Sequence, residues 1–431
     1  EPPRWNVRDY MIDFEGASVA PGGDLAEIQP FAGIQFRGDP LTRVLAPPYD
    51  VIPPAYQDEL YARDPHNIVR VILNRTPGDA GYAEAGETYA RWLAEGVLAP
   101  DPAPAVYLLE QTFAAGDGPL RRFGLLARFR AEDAERGVIM PHEHTRAAAK
   151  EDRWRVLLAT RANFSPIFLM FPDPERRFGA LAIEAMARPP HTQYTDDGSV
   201  AHRLWRIEDP GTIARFQELL RGPKAYIADG HHRHATALRY RDANGPEGAW
   251  TLGYFTPMGV PGLLVQPYHR ILSEGPSLEE AQARLDGRFR VTRAAGVAQA
   301  ASSVAASRAP RAFALAQPGR GALVVESEPV AETLLDAAAA PSLRALDTFF
   351  LHHAVLGPLL GVPDSAVSYV HSQAEAEASV AAASCRLAVL MRATPVQQIV
   401  DVAEAGESMP AKSTFFHPKL PSGLVIHPLA V

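Results

Sequence analysis

Apolar positions along the chain follow two periods. Between residues 82 and 95 they return at helical spacing and stop at Gly96, which predicts a helix closed by a glycine. Residues 107–113 and 123–129 alternate or run apolar on either side of Gly116-Asp117-Gly118, the pattern of a β-hairpin. The apolar run 68–73 predicts a strand, and 225–228 a second one, followed by Asp229-Gly230 and a helical stretch over 231–241. From about 277 the sequence becomes alanine-rich, with helices expected over 278–285, 297–307 and 374–383 and a strand over 387–391. A helix over 396–405 and a strand over 424–427 complete the pattern. Alternating elements of this kind predict an α/β (α+β) fold with a mixed sheet. We divide the chain into an irregular arm (1–30), a main α/β domain (31–275), a smaller alanine-rich α/β subdomain (276–392) and a C-terminal segment (393–431) that returns to the main site. A length of 431 residues exceeds one ordinary hydrophobic core, which agrees with more than one unit.

Composition narrows the class. With 47% apolar and 21% charged residues the chain has ample material for a core. The 42 basic and 50 acidic side chains leave a net charge of −8, which disfavours nucleic acid as a partner. The single cysteine, Cys385, excludes an internal disulfide framework and a multi-cysteine zinc site and suggests a reducing, cytoplasmic setting. No run approaches the ~20 apolar residues of a membrane span, and the first residues lack a signal-peptide apolar region. The chain begins with Glu1 rather than Met, which leaves room for a preceding segment. A homodimer is compatible with the sequence but not indicated by it.

Candidate chemistry gathers in three places. In Asp229-Gly230-His231-His232-Arg233 a strand ends, a glycine opens the backbone and a helix begins. The free amides of such a helix start, at the positive end of its dipole, attract anions, and His232 and Arg233 add side-chain donors for phosphate. The plainer alternative is that Asp229 caps the helix while His231 and His234 are buried one turn apart. The second place is Met140-Pro141-His142-Glu143-His144-Thr145 with Lys150-Glu151-Asp152-Arg153 after it. An extended backbone would put His142 and His144 on one face and Glu143 on the other, an arrangement for proton transfer or metal binding. The spacing is not that of a zinc-protease helix, and Lys150–Arg153 equally suits the solvated first turn of a helix over 153–159. The third is Lys412-Ser413-Thr414, a lysine and two hydroxyls suited to phosphate or carboxylate but without the glycine spacing of a Walker loop. Asp50, Asn163 and Ser165 lie in turn segments and are expected to line the same pocket or to stabilise their turns; His269-Arg270, at the end of an apolar run, has the same status.

Taken together, Ala46-Pro47-Pro48-Tyr49-Asp50-Val51-Ile52, Asn67-Ile68-Val69-Arg70, Pro141-His142-Glu143, Glu151-Asp152-Arg153, Asn163-Phe164-Ser165-Pro166, Ile227 to Arg233, Met409 to Thr414 and Pro418-Lys419-Leu420-Pro421 resemble the prokaryotic domain-of-unknown-function family 1015. The resemblance covers nearly the whole chain after the arm. His144, where the family usually carries Arg or Lys, and His234, where it usually carries Tyr, depart from the pattern. More loosely, the Asp229 to Arg233 segment is similar to the signature of free-serine kinases and to the Gly-Cys-His-Arg of sulfiredoxin, both on the ParB/sulfiredoxin fold. In those relatives the segment cradles nucleotide phosphates.

The resemblance implies a ParB/sulfiredoxin-like mixed-sheet core and a magnesium-dependent small-molecule kinase that moves a phosphoryl group from ATP or ADP to a hydroxylated metabolite, free serine in first place. In that reading Gly230, His232, Arg233, Arg153, Lys412, Ser413 and Thr414 hold phosphate. Asp229 holds magnesium or orients the acceptor, Glu143 is the general base, and His231 and His232 complete the catalytic set. Asp50, His142, His144, Asn163 and Ser165 shape the substrate pocket. Two rivals stand beside it: a metal-dependent phosphatase or other hydrolase, and a ParB-like nucleotide-responsive DNA-binding protein, against which the net charge counts.

Overall fold

A nine-stranded mixed sheet organises the first part of the chain. The structure, a computed structural model, describes residues 26–38, 40–116 and 118–429. Most of the expected arm, and Asp117 in the hairpin turn, lie outside the described residues. The described residues form two compact units, 26–141 with 145–264 and 418–429, and 142–144 with 265–417.

In the first unit the strands run in the order Ile139–Met140, Ala225–Asp229, Ile167–Phe171, Trp250–Pro257, Gly118–Arg130, Val106–Ala115, Ala201–Ile207 and Thr192–Thr195, with Ile28–Gln29 added beside Gly118–Arg130. Two pairings are parallel, Ala225–Asp229 with Ile139–Met140 and Trp250–Pro257 with Ile167–Phe171; the other pairings are antiparallel. The expected hairpin is its centre: Tyr107 faces Leu126 and Phe113 faces Leu120. Alternation splits the sheet into two faces. Val106, Leu108, Phe123, Leu125, Phe129, Leu169 and Ile227 point to an apolar core closed by the helices Arg177–Met186 and Pro210–Leu220. Gln111, Arg122, Phe168 and Tyr254 belong to the opposite phase, and there residues 418–429 cross.

One expected strand is a helix. Residues Val69–Ile72 form a helical turn, and Ile68, Val69, Val71 and Ile72 are all buried around the half-buried Arg70, so the apolar run carries no helical period. Buried Asn67 decides the conformation: its Oδ1 accepts from the Val69 amide at 3.0 Å while its Nδ2 donates to the carbonyls of Arg43 and Leu45. The strand expected over 424–427 shrinks to His427–Pro428, paired with Ala162–Asn163, plus a single bridge from Ile426 to Ile34.

His427 anchors that last segment. It is buried, with Nδ1 3.0 Å from Asn163 Oδ1, and burial, then the charge of Arg128, push its pKa down to about 3. A histidine whose folded value lies below its unfolded value of about 6.5 contributes fully above pH 6.5, and that contribution is lost as the pH falls toward 3. At pH 5 the loss amounts to about 2 kcal/mol. Denaturant unfolding of His427→Gln should therefore weaken less between pH 7 and pH 5 than the parent by roughly that amount; parallel pH slopes would refute the assignment.

The second unit is a six-stranded antiparallel sheet in the order Phe289–Ala294, Gly321–Ser327, Ala312–Gln317, Leu387–Met391, His269–Leu272 and Val367–Val370. The alanine-rich helices Val297–Ala306 and Gln373–Ala381 cover one face, where Ala300, Val304 and Ala376 pack on Ala314, Ala388 and Leu390. Small side chains let helix and sheet approach closely, which accounts for the alanine bias. On the other face Leu278, Leu285, Phe313, Leu315, Phe350 and Leu351 form a larger apolar core. Among the described residues no helix is long and apolar enough to cross a membrane.

Candidate functional site

The helix His231–Asn244 follows strand Ala225–Asp229 directly, and the junction is bent by a register shift between Ile227 and Asp229. A bulge of this kind re-aims the residues after it. Gly230 then takes φ 99°, a left-handed conformation, and no side chain caps the helix. A β-carbon at Gly230 would lie 2.9–3.0 Å from Nε, Cζ and Nη2 of Arg233, so glycine is required by φ and by space.

Asp229 does not cap the helix. Its Oδ2 accepts from Arg233 Nη2 at 2.6 Å and its Oδ1 from Lys419 Nζ at 2.8 Å. Burial alone would raise its pKa, but Lys419 and Arg233 more than offset this and hold the carboxyl well below the usual range. The second terminal nitrogen of Arg233 donates to the Pro166 carbonyl. Beneath the triad, buried Arg122 donates to Gln111 Oε1 and the Pro418 carbonyl and stacks 4.7 Å from the Phe168 ring. Burial lowers its pKa to about 10, so it stays charged at neutral pH. The junction is thus a buried carboxylate ringed by cations.

The three histidines of the motif differ. His231 and His234 are buried, and burial pushes His234 down to about 4. His232 is half-buried and accepts the Arg146 amide through Nε2 at 3.0 Å, which leaves its proton on Nδ1. Its pKa is lowered by burial first, then by Arg146.

Around the helix start lies a cavity of about 60 Å³ lined by Tyr49, Arg153, Asn163, Ser165, Arg233 and Thr236 among others. It holds a few waters or one small polar group, not a whole nucleotide. Arg153 lies well inside helix Ala147–Thr160, which starts earlier than expected, so Lys150–Arg153 is not its first turn. The Arg153 guanidinium sits 3.8 Å over the Tyr49 ring and donates to Asp152 and to the Ile72 carbonyl at 2.9 Å. Asn163 and Ser165 reach the cavity, but their polar atoms hold the C-terminal segment: Asn163 Oδ1 meets His427, and the Ser165 hydroxyl meets Ser422 at 2.6 Å. Asp50 is exposed, and its charge acts on both His232 and Tyr49.

The other expected residues belong to the second unit. His142 is buried and His144 exposed, so the two do not share one environment. Glu143 bridges in parallel to Met409, whose amide donates to the His142 carbonyl at 2.8 Å. Lys412 takes φ 59°, and its Nζ lies 3.5 Å from the Tyr268 hydroxyl and 5.0 Å from that ring. Buried Ser413 is not a free phosphate ligand: its hydroxyl donates to the Pro410 carbonyl at 2.6 Å and lies 3.0 Å from the Thr348 hydroxyl. Thr414 is half-buried beside it, while Phe415 and Phe416 are buried.

Magnesium at Asp229 does not fit this donor set. Both oxygens are taken up by cations, and no cluster of three His, Cys, Asp or Glu side chains suited to a metal forms among the described residues. Sequence reasoning missed Lys419, Arg122 and Arg146 as site residues. Lys419 stood in the Pro418-Lys419-Leu420-Pro421 motif, but no local pattern marks a lysine 190 positions from its partner.

Among solved structures, a free serine kinase in complex with AMP is 14% identical and aligns 65% of this chain with 83% of its own, at a TM-score of 0.32. SbnI from Staphylococcus aureus, with a C-terminal truncation, gives 12% identity, 70% and 87% coverage and a TM-score of 0.35. A conserved hypothetical protein from Pyrococcus furiosus gives 14%, 68%, 92% and 0.32. At such scores the overall likeness is distant, and the residues themselves have to carry any functional reading. No curated protein matches the chain. The motifs from Ala46 to Arg233 fall within residues 28–349, which match the family described as Protein of unknown function (DUF1015), and the chain belongs to that family.

Proposed function

We propose that the first unit grips the phosphates of ATP or ADP at the start of helix His231–Asn244 and transfers a phosphoryl group to a small hydroxylated metabolite, with free serine as the acceptor suggested by the motif. The observation that carries this reading is the glycine-opened helix start, uncapped by any side chain, directly beside the Lys419–Asp229–Arg233 triad. Backbone amides at a helix start and fixed cations stabilise phosphoryl oxygens without reorganising. Asp229 acts as a positioning residue that holds Lys419 and Arg233, and the Nδ1–H of neutral His232 supplies a further donor. Arg153, tied to Ile72 and stacked on Tyr49, keeps the cavity wall rigid.

In the transfer, the bond between the terminal phosphorus and its bridging oxygen breaks, a bond from phosphorus to the acceptor hydroxyl oxygen forms, and the nucleotide leaves one phosphate shorter. The hydroxyl proton passes to a base and from it to solvent. No step is assigned to magnesium.

Thermal unfolding with ATP, ADP and AMP, each with and without magnesium, tests nucleotide binding. Saturation at about a hundred times Kd should add roughly 2.7 kcal/mol and raise Tm by several degrees. Phosphorus NMR with serine present then reads the product. If no nucleotide moves Tm, the kinase reading is wrong, because ligand and cradle have no coupling.

A further inference from the structure

Strand His269–Leu272 lies inside the second unit's sheet, between Leu387–Met391 and Val367–Val370. Leu272 and Val389 on one face belong to the apolar core, and Arg270, opposite Val389 in register, stands in the same phase. Arg270 is completely buried. Its Nη1 donates to the Tyr268 carbonyl at 2.6 Å and its Nε approaches His352 Nε2 at 3.3 Å, but Nη2 has no hydrogen-bond partner among the described residues. No described carboxylate pairs with it. A desolvated cation with an idle donor and no counter-charge is among the costliest arrangements a core can hold.

The neighbours do not resolve that cost. His352 accepts from Arg270 and is held neutral by burial and by Arg270 itself, with a pKa near 4, so it offers no negative charge. Burial brings Arg270 only to about 10, so the guanidinium remains charged at neutral pH. His352 lies on the π-helical segment Leu351–Leu356, a wide turn that recurs at functional positions. Across the strand pair, the Tyr369 ring lies 5.4 Å from Arg270 Cζ. The His352 and Tyr369 rings are 6.4 Å apart and inclined by only 25°, and both are half-buried. The guanidinium therefore lies beside two half-buried rings.

We propose that Arg270 anchors an anion subsite in the second unit, between strand His269–Leu272 and the π-helical segment Leu351–Leu356, which takes the carboxylate or phosphate group of a small molecule. Nη2 supplies the primary donor, and the two rings flank the bound group. The subsite is independent of the nucleotide cradle in the first unit.

Calorimetric titration of the full chain with inorganic phosphate and, separately, with acetate tests the subsite at an ionic strength held constant with chloride. Arg270→Met should weaken one binding event at least tenfold, whereas Arg233→Met should leave that event in place. Arg270→Lys, which keeps the charge but loses the planar fork, should weaken it about tenfold and replaces R270M should that variant fail to fold. Response to phosphate alone identifies a phosphorylated ligand, and response to acetate alone a carboxylate. Equal binding by the parent and the Arg270 variants overturns the proposal, as does a parent that binds neither anion.

Discussion

Asp229→Asn is expected to lower the unfolding free energy of the first unit by about 3–5 kcal/mol, the usual range when one partner of a buried ion pair is removed. The reason lies in what remains: Lys419 and Arg233, both largely buried, would face one another above Arg122 with no carboxylate between them. Urea unfolding measures the effect. Lys419→Met in the same background should restore part of the loss, since it removes one stranded cation. Acid should mimic the substitution. The depressed pKa of Asp229 means that its contribution is complete above the unfolded value near 4 and disappears only as the pH falls below it. A loss smaller than about 1 kcal/mol would mean that water screens the triad as it screens surface pairs.

Gly230→Ala should cost about 1–3 kcal/mol in backbone strain, because alanine must adopt φ 99° at the helix start. The steric term adds to this. The new β-carbon would press on the Arg233 guanidinium, which cannot simply swing away while it holds both Asp229 and the Pro166 carbonyl. Two losses should therefore appear together: a lower Tm and a nucleotide affinity reduced at least tenfold, since the amides and Arg233 shift as one. Calorimetric titration with ADP reads the second. Full affinity in a folded G230A protein would separate phosphate binding from this helix start and remove the basis of the kinase reading.

The legible parts of the fold share a property. The hairpin around 116–118, the strand Ala225–Asp229 and the helix His231–Asn244 are each specified by neighbours in sequence, through alternation, a turn glycine and helical spacing. The stretch Val69–Ile72 is not of this kind: its apolar residues Val69, Val71 and Ile72 are all buried, so a strand and a helix predict the same apolar run, and Asn67 settles the matter through bonds to residues more than twenty positions away. The site divides in the same way. Gly230 and Arg233 could be picked out because strand, glycine and helix follow one another, but Lys419, the distant partner of Asp229, could not.

What the sequence determined by itself, then, is the α/β class, the positions of the elements with a clear period, and the glycine-opened helix start. Tertiary structure alone decided that Asp229 is neutralised by Lys419 and Arg233 rather than offered to a metal, that the Ser413 hydroxyl is spent on Pro410 and Thr348, and that Arg270 is buried with one donor left over. The physical reason is one of range. Periodicity and turn chemistry act over a few residues, whereas the fate of a charge depends on which distant groups meet it once water has been excluded.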